Sequence, residues 1–310
     1  CYDLMLDQIV PVNILGTDYI AVKGALNATG DESLFLMAVE NNTQIFMDGS
    51  ATPAATLFAG QYYRHDMDYI TTAGGAAFAS ASKPVYAIHV TGFGCEQGMA
   101  ILPPLNCAGS TSVSFTRSTS EAFFLNLLVR NGSQDDFVVA PATATIPASA
   151  FQAVPGTGGE WMAARIQYNT TQIPVNQAFR VTNTTDVFSL ALINGGGSSG
   201  CRYGFFSEFS GKIDISAGVD QNICANETVA LSGTVSGGST TGIWTSNGSG
   251  VFNPSATALN ATYEPSIGDI ALGNVTLTLT STGNCTPVED EMVVTISPRP
   301  QPDAGPAQQV

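Results

Sequence analysis

The chain has 310 residues, enough for two or three independent cores, and only 11% of them are charged, against roughly a quarter in an ordinary soluble domain. Its 25 acidic and 10 basic residues give a net charge of −15, which argues against nucleic acid as a partner and against anionic membrane surfaces. No run of eighteen apolar residues occurs, so no helical segment inserts in a bilayer.

With so few charges, the polar surface has to come from Thr, Ser, Asn and Gln. Such a surface suits short strands and turns better than solvated helices. An alternating run at Tyr19–Val22 is followed by a turn-rich patch around Asn27 and Gly30. The strand Leu34–Glu40 meets Asn41-Asn42, and Gln44–Met47 follows, which reads as a hairpin with the next turn at Asp48-Gly49. Val85–Val90 alternates as a strand, breaks at Gly92 and Gly94, and continues through a cysteine-bounded excursion to a second apolar run stopped by Pro103-Pro104. Much of this order returns. Phe123–Asn131, a tight turn and Phe137–Ala140 repeat the first pair, and Val187–Leu192 with Gly195–Gly200 repeats the strand and its glycine corner. The repetition predicts a duplicated β unit, residues 1–107 and 108–211, with loop insertions in the second copy.

From Ile213 the chain turns to Thr, Ser, Asn and Gly with strand-length runs at Thr228–Leu231, Gly242–Thr245, Asn260–Tyr263, Asn274–Thr280 and Glu291–Ile296. That spacing predicts an immunoglobulin-like sandwich over 212–298. The proline-rich stretch from Pro298 reads as a stiff linker. Beyond it, Ala304-Gly305-x-x-Gln308 repeats Ala217-Gly218-x-x-Gln221, so 299–310 reads as a linker and the start of a possible further repeat. The expected fold class is all-β, as tandem β-sandwiches.

Six cysteines allow fifteen pairings. Locality favours Cys95–Cys107 and Cys224–Cys285, leaving Cys1 with Cys201; a symmetric alternative joins Cys1 to Cys95 and Cys107 to Cys201. No C-x-x-C pair accompanies the two histidines, His65 and His89, so disulfides are favoured over a metal centre, and with them an exported, extracellular setting. The start Cys1-Tyr2-Asp3 is not that of a signal peptide, and reads as a mature segment.

Several motifs have plain structural readings beside their functional ones. Gly195-Gly-Gly197-Ser-Ser-Gly200 matches a dinucleotide-binding pattern, but it leads into the strand-like Cys201-Arg-Tyr203 where a helix is needed, so it reads as a hairpin loop. His65 lies among acids without a nucleophile motif, and His89 sits on an alternating strand as a satisfied, half-buried residue. No cofactor is expected. Calcium is the one ion the acids suggest, with candidates at Asp66, Asp68, Asp214 and Asp220, though none follows the EF-hand order. Sequons at Asn27, Asn41, Asn131, Asn169, Asn183, Asn226, Asn247, Asn260, Asn274 and Asn284 are possible glycosylation sites. The aromatic group Tyr203, Phe205, Phe206 and Phe209 reads as core or seam before it reads as a sugar platform.

The stretch Gly92–Cys107, GFGCEQGMAILPPLNC, with KPVYAIHV before it and SVSFTRS after it, resembles the N-terminal domain of IgGFc-binding proteins, in the versions found in large secreted surface proteins of Bacteroidetes. The remainder, from AGVDQNIC to the linker, is similar to the PKD- or Ig-like tandem repeats of those proteins. The resemblance implies type IX secretion and a place at the cell surface. The expectation is therefore a non-catalytic adhesin-like head followed by a stalk segment. The alternatives are a structural subunit of an extracellular filament, or a carbohydrate-binding or carbohydrate-active module. Partners would be other surface proteins, glycans or copies of the chain itself.

Overall fold

The computed structural model describes residues 7–26, 32–71, 74–105, 108–207, 213–237, 239–282, 287–298 and 305. The chain divides into two compact units, Cys1–Gly211 and Lys212–Val310.

Among the described residues of the first unit, seven strands precede residue 107: β1 (Gly16–Val22), β2 (Ser33–Ala38), β3 (Thr43–Met47), β4 (Ala55–Leu57), β5 (Tyr62–Asp66), β6 (Ala76–Phe93) and β7 (Glu96–Leu102). β6 serves two layers. Residues 76–81 pair with β1 on one edge and β3 on the other, whereas 85–93 pair with β2 and β7. The switch falls at Ser82-Lys83-Pro84, where proline has no N–H to continue a ladder. One layer is thus β4-β3-β6-β1 and the other β5-β2-β6-β7, with Leu34, Leu36, Ile45, Tyr19 and Val85 fully buried between them.

Eight more strands follow: β8 (Ser112–Thr116), β9 (Ala122–Arg130), β10 (Phe137–Ala140), β11 (Gln152–Ala153), β12 (Trp161–Gln167), β13 (Ala178–Asn183), β14 (Phe188–Gly196) and β15 (Gly200–Phe206). They form two sheets, β10-β13-β8 and β11-β12-β9-β14-β15. The pairing repeats that of the first half. β13 and β14 take the parts of the two ends of β6, and β8, β9, β10, β12 and β15 stand where β1, β2, β3, β5 and β7 stood. The glycine run at 195–200 closes the β14–β15 hairpin, as the corner at 92–94 closes β6–β7.

The duplicated order is present, but the expected hairpin is not. Leu34–Glu40 and Gln44–Met47 do not pair with each other: β2 bonds β5 and β6, and β3 bonds β4 and β6. The turn at Asn42, held at φ 58°, carries the chain from one layer to the other. Ile45 and Leu36 then face the same core from opposite sides.

The second unit contains β16 (Ile213–Ser216), β17 (Gln221–Cys224), β18 (Val229–Ala230), β19 (Thr234–Gly237), β20 (Thr241–Ser246), β21 (Val251–Asn253), β22 (Thr262–Glu264), β23 (Asn274–Thr282) and β24 (Glu289–Ser297). Its sheets are β17-β24-β23-β20, β18-β22-β21 and the pair β16-β19. Trp244 is buried among Tyr263, Leu277, Leu279 and Val294, and its Nε1 donates to Leu259 O at 3.3 Å. A one-and-a-half-turn helix, α1 (Ile267–Leu272), was not anticipated. Its capping box, Ser266 with Asp269, and a left-handed Gly273 supply the start and stop signals that were there to be read.

The expected Cys224–Cys285 bridge fails on topology. Cys224 is an exposed free thiol on β17, level with Ser297 at the far end of β24. Cys285 lies outside the described residues, three positions before Val288, whose N–H and C=O face Ser281 where β24 begins. From Val288 to Ser297 the strand runs about 30 Å, and three residues reach at most about 10 Å back. A disulfide needs Cα atoms within about 7 Å. In the native protein Cys224 is therefore expected to react stoichiometrically with a maleimide, read by mass after digestion; a 224–285 disulfide peptide would contradict this topology.

Candidate functional site

The densest polar constellation of the first unit lies inside it. Lys23 follows β1, Glu32 precedes β2, Asp68 follows β5 and His89 sits on β6. The second sandwich contributes Tyr203 from β15 and Arg165 from β12. The Glu32 carboxylate is fully buried. Its Oε1 is 3.2 Å from His89 Nε2 and also accepts from the Gly24 N–H, while Oε2 is 3.2 Å from Lys23 Nζ. Lys23 Nζ is also 3.5 Å from Asp68 Oδ1. His89 Nδ1 meets the Tyr203 hydroxyl at 2.8 Å, and the Arg165 guanidinium donates to Gly24 O.

Burial alone would raise the Glu32 pKa. The His89 hydrogen bond and charge, the Gly24 N–H and Lys23 outweigh it, and the carboxyl stays below its ordinary value. Ionised, Oε1 can only accept, so Nε2 of His89 donates to it, and Nδ1 on the far side of the ring faces the Tyr203 hydroxyl. Burial pushes the Tyr203 phenol well up, with Glu32 adding to the effect. A phenol in that state keeps its proton, and both imidazole nitrogens are engaged. The histidine and tyrosine therefore fasten two sandwiches together, and no activated nucleophile results.

Around this cluster the seam is apolar. Ile20, Val22, Ala76 and Leu105 of the first sandwich pack on Leu128, Val154, Trp161 and Ala163 of the second. β9 explains why. Phe123, Leu125, Leu127 and Val129 alternate into their own core, which turns Asn126 and Leu128 outward to the seam. Asn126 Nδ2 donates to Val22 O at 3.0 Å. Beside the seam opens a cleft of about 270 Å³, lined by Asp18, Phe78, Leu105, Thr157, Glu160 and Trp161. Arg130 lies 4.9 Å over the Trp161 ring and pairs with Glu160.

The family model described as IgGFc binding protein matches residues 1–192, more than half of the chain. The chain belongs to this family. No curated protein matches it in sequence. Among solved structures, the insect immune protein hemolin is similar at 11% identity and TM-score 0.24, covering 90% of this chain and 76% of hemolin. Sidekick-1 immunoglobulin domains 1–5 match at 10% identity and TM-score 0.22, over 92% of this chain and 60% of that one. The mouse nectin-like molecule 4 ectodomain matches at 11% identity and TM-score 0.21, over 92% and 99%. At these TM-scores the likenesses carry no argument.

The anticipated residues take varied places along the chain. His89 is a satisfied residue, as expected, though fully rather than half buried. His65 bonds Tyr69 Oη at 3.1 Å, and Tyr69 donates to Asp48 at 2.9 Å. Asp66 accepts from the Asp68 N–H, and Asp68 faces Lys23. Asp214 is on β16 and Asp220 accepts from the Val293 N–H at 2.8 Å. Among the described residues no three His, Cys, Asp or Glu side chains converge on a metal position. Tyr203 and Phe205 sit at the seam, Phe206 is partly exposed, and Phe209 lies outside the described residues.

Cys95 is disulfide-bonded. Cys201 is on β15, and Cys1 and Cys107 lie outside the described residues. Asn183 is no glycan acceptor in the folded chain. It is buried, its Nδ2 donates to Ser133 O at 2.8 Å, and its Oδ1 accepts from the N–H groups of Thr185 and Asp186. Asn41, Asn131, Asn169, Asn226, Asn247, Asn260 and Asn274 are exposed; Asn27 and Asn284 lie outside the described residues. Sequence reasoning missed Lys23, Glu32 and Arg165. The available signal was scarcity: among only 10 cations, one closes the apolar run Tyr19–Val22.

Because the folded Glu32 pKa is lowered, its contribution to stability is fully present above the ordinary glutamate value, about 4.3. It is lost as pH falls through the folded value. Glu32→Gln is expected to cost about 3 kcal/mol at neutral pH and to flatten the acid branch of stability against pH in urea titrations. An unchanged acid branch would contradict this electrostatic account.

Proposed function

We propose that this IgGFc-binding-family chain is a non-catalytic extracellular binding module. Residues 1–211 form an adhesin-like head and the immunoglobulin-like unit a stalk segment. The observation that carries this reading is where the chemistry lies. The reactive side-chain types at the heart of the first unit, Glu32 and His89, are buried in the seam, and both nitrogens of His89 are engaged, one by Glu32 and the other by Tyr203. The surface instead offers recognition features: the cleft beside Trp161 with its two carboxylates, and the exposed aromatic rings of Phe58, Tyr62 and Tyr69.

The disulfide at Cys95 supports an oxidising compartment, and no described helix is long and apolar enough to cross a membrane. The family is named for the Fc part of IgG, which makes Fc one probe among several. The intact chain, immobilised, should be offered IgG Fc, mucin-type glycoproteins and a glycan array, with glycosidase and esterase turnover measured in parallel. Saturable binding to one of these without product is the expected result. Product formation, or fibre growth with no binding, would overturn the proposal.

A further inference from the structure

We propose that Lys23 and Asp68 are joined in the mature protein by an amide bond between Lys23 Nζ and Asp68 Cγ, formed within the fold with Glu32 as the catalytic residue. Three side chains converge as this reaction requires. The Lys23 amine is 3.5 Å from an Asp68 carboxyl oxygen, and the side chains are 8% and 18% exposed. A second carboxylate with no exposure at all, Glu32, stands 3.2 Å from the same nitrogen.

The two oxygens of Glu32 are treated differently. Oε1 is held by His89 and the Gly24 N–H. Oε2 has no aligned hydrogen-bond donor although the lysine nitrogen is in contact with it. The contact is thus an ion-pair distance without hydrogen-bond geometry, and it leaves Oε2 available to receive a proton. His89, Arg165 and Tyr203 are the other ionisable groups around it, and each is engaged by another partner.

The step balances without a co-reactant. The lysine ammonium passes one proton to the Asp68 carboxylate beside it, which leaves a free amine and a carboxylic acid, and Glu32 Oε2 takes the proton that the nitrogen sheds once it has added. The free amine adds to Cγ, the N–C bond forms and the C–OH bond breaks. The hydroxyl leaves as water with a proton returned through Glu32. Nothing is oxidised or reduced. The driving logic is local: a buried cation and a partly buried anion, each expensive to desolvate, become one neutral amide. The part-exposed Asp68 gives the water its exit.

The bond would also lie where it constrains most. Lys23 continues β1 in one layer of the first sandwich and Asp68 continues β5 in the other, so the link would tie the two layers as a disulfide would, and would survive reduction.

Intact mass of the reduced full chain decides the matter. The wild type should be lighter than its sequence by the mass of one water. Trypsin should leave the Lys23–Gly24 bond uncut, with the peptide beginning at His65 attached as a branch. Lys23→Arg should restore the full mass, and Asp68→Asn should still link, releasing ammonia in place of water. Glu32→Gln should leave the chain unlinked. A wild-type chain at full mass, cleaved normally after Lys23, would overturn the proposal. So would a water loss that persists in Lys23→Arg, because the modification would then lie elsewhere.

Discussion

A fully buried carboxylate is what the first unit has to be built around. Removing Glu32 from water costs several kcal/mol unless donors replace the lost hydration. The groups that replace it are four and come from three stretches of chain: Lys23 with the adjoining Gly24 N–H, the His89 ring and, through that ring, Tyr203. Three of these belong to the first sandwich and the last to the second. The ion is stable only while both sandwiches are in place, so its burial ties their folding together. Arg165 reaching Gly24 O and Asn126 reaching Val22 O add two more polar ties across an otherwise apolar seam.

The repeated strand order gives the seam its geometry. Corresponding strands β2 and β9 each bury one face in their own core. Their outward faces differ: Phe35 and Met37 stay half-exposed on β2, whereas Asn126 and Leu128 on β9 are buried under the first sandwich. A duplicated unit can therefore dock on its copy without new architecture. Only the outward alternation of one strand had to change, and with it the residues at the end of β1. The binding role proposed for the family's region follows from this economy: a rigid pair of sandwiches presenting loops and a cleft, with its ionisable core used for cohesion.

Much of the fold was legible because alternation and turn chemistry are local. The runs Leu34–Ala38, Phe123–Val129 and Asn274–Thr280 declare their strands, and the glycine corners at 92–94 and 195–200 declare their hairpins. What was not legible is which strand bonds which. Asn41-Asn42 looks like a hairpin turn because a layer-to-layer turn uses the same residues, and only the partners of β2 and β3 distinguish them. The Cys224–Cys285 pairing failed for a related reason: proximity in sequence says nothing about which end of a strand a cysteine sits on. Asn183 reads as a sequon because the pattern N-x-T is also what a buried turn-forming asparagine leaves behind. The Glu32 cluster could not be assembled from sequence, since Asp68, His89, Arg165 and Tyr203 lie far along the chain from Lys23 and Glu32 and meet them only through the fold.

Native-state hydrogen exchange under increasing denaturant tests the central point most directly. If the buried ion and its seam fuse the two sandwiches, amides in the middle of β2 and of β9 should exchange through one common opening, with the same free energy and the same denaturant dependence. Protection in β9 that outlasts protection in β2, with a separate denaturant slope for each, would show two sandwiches that fold independently and would contradict the account.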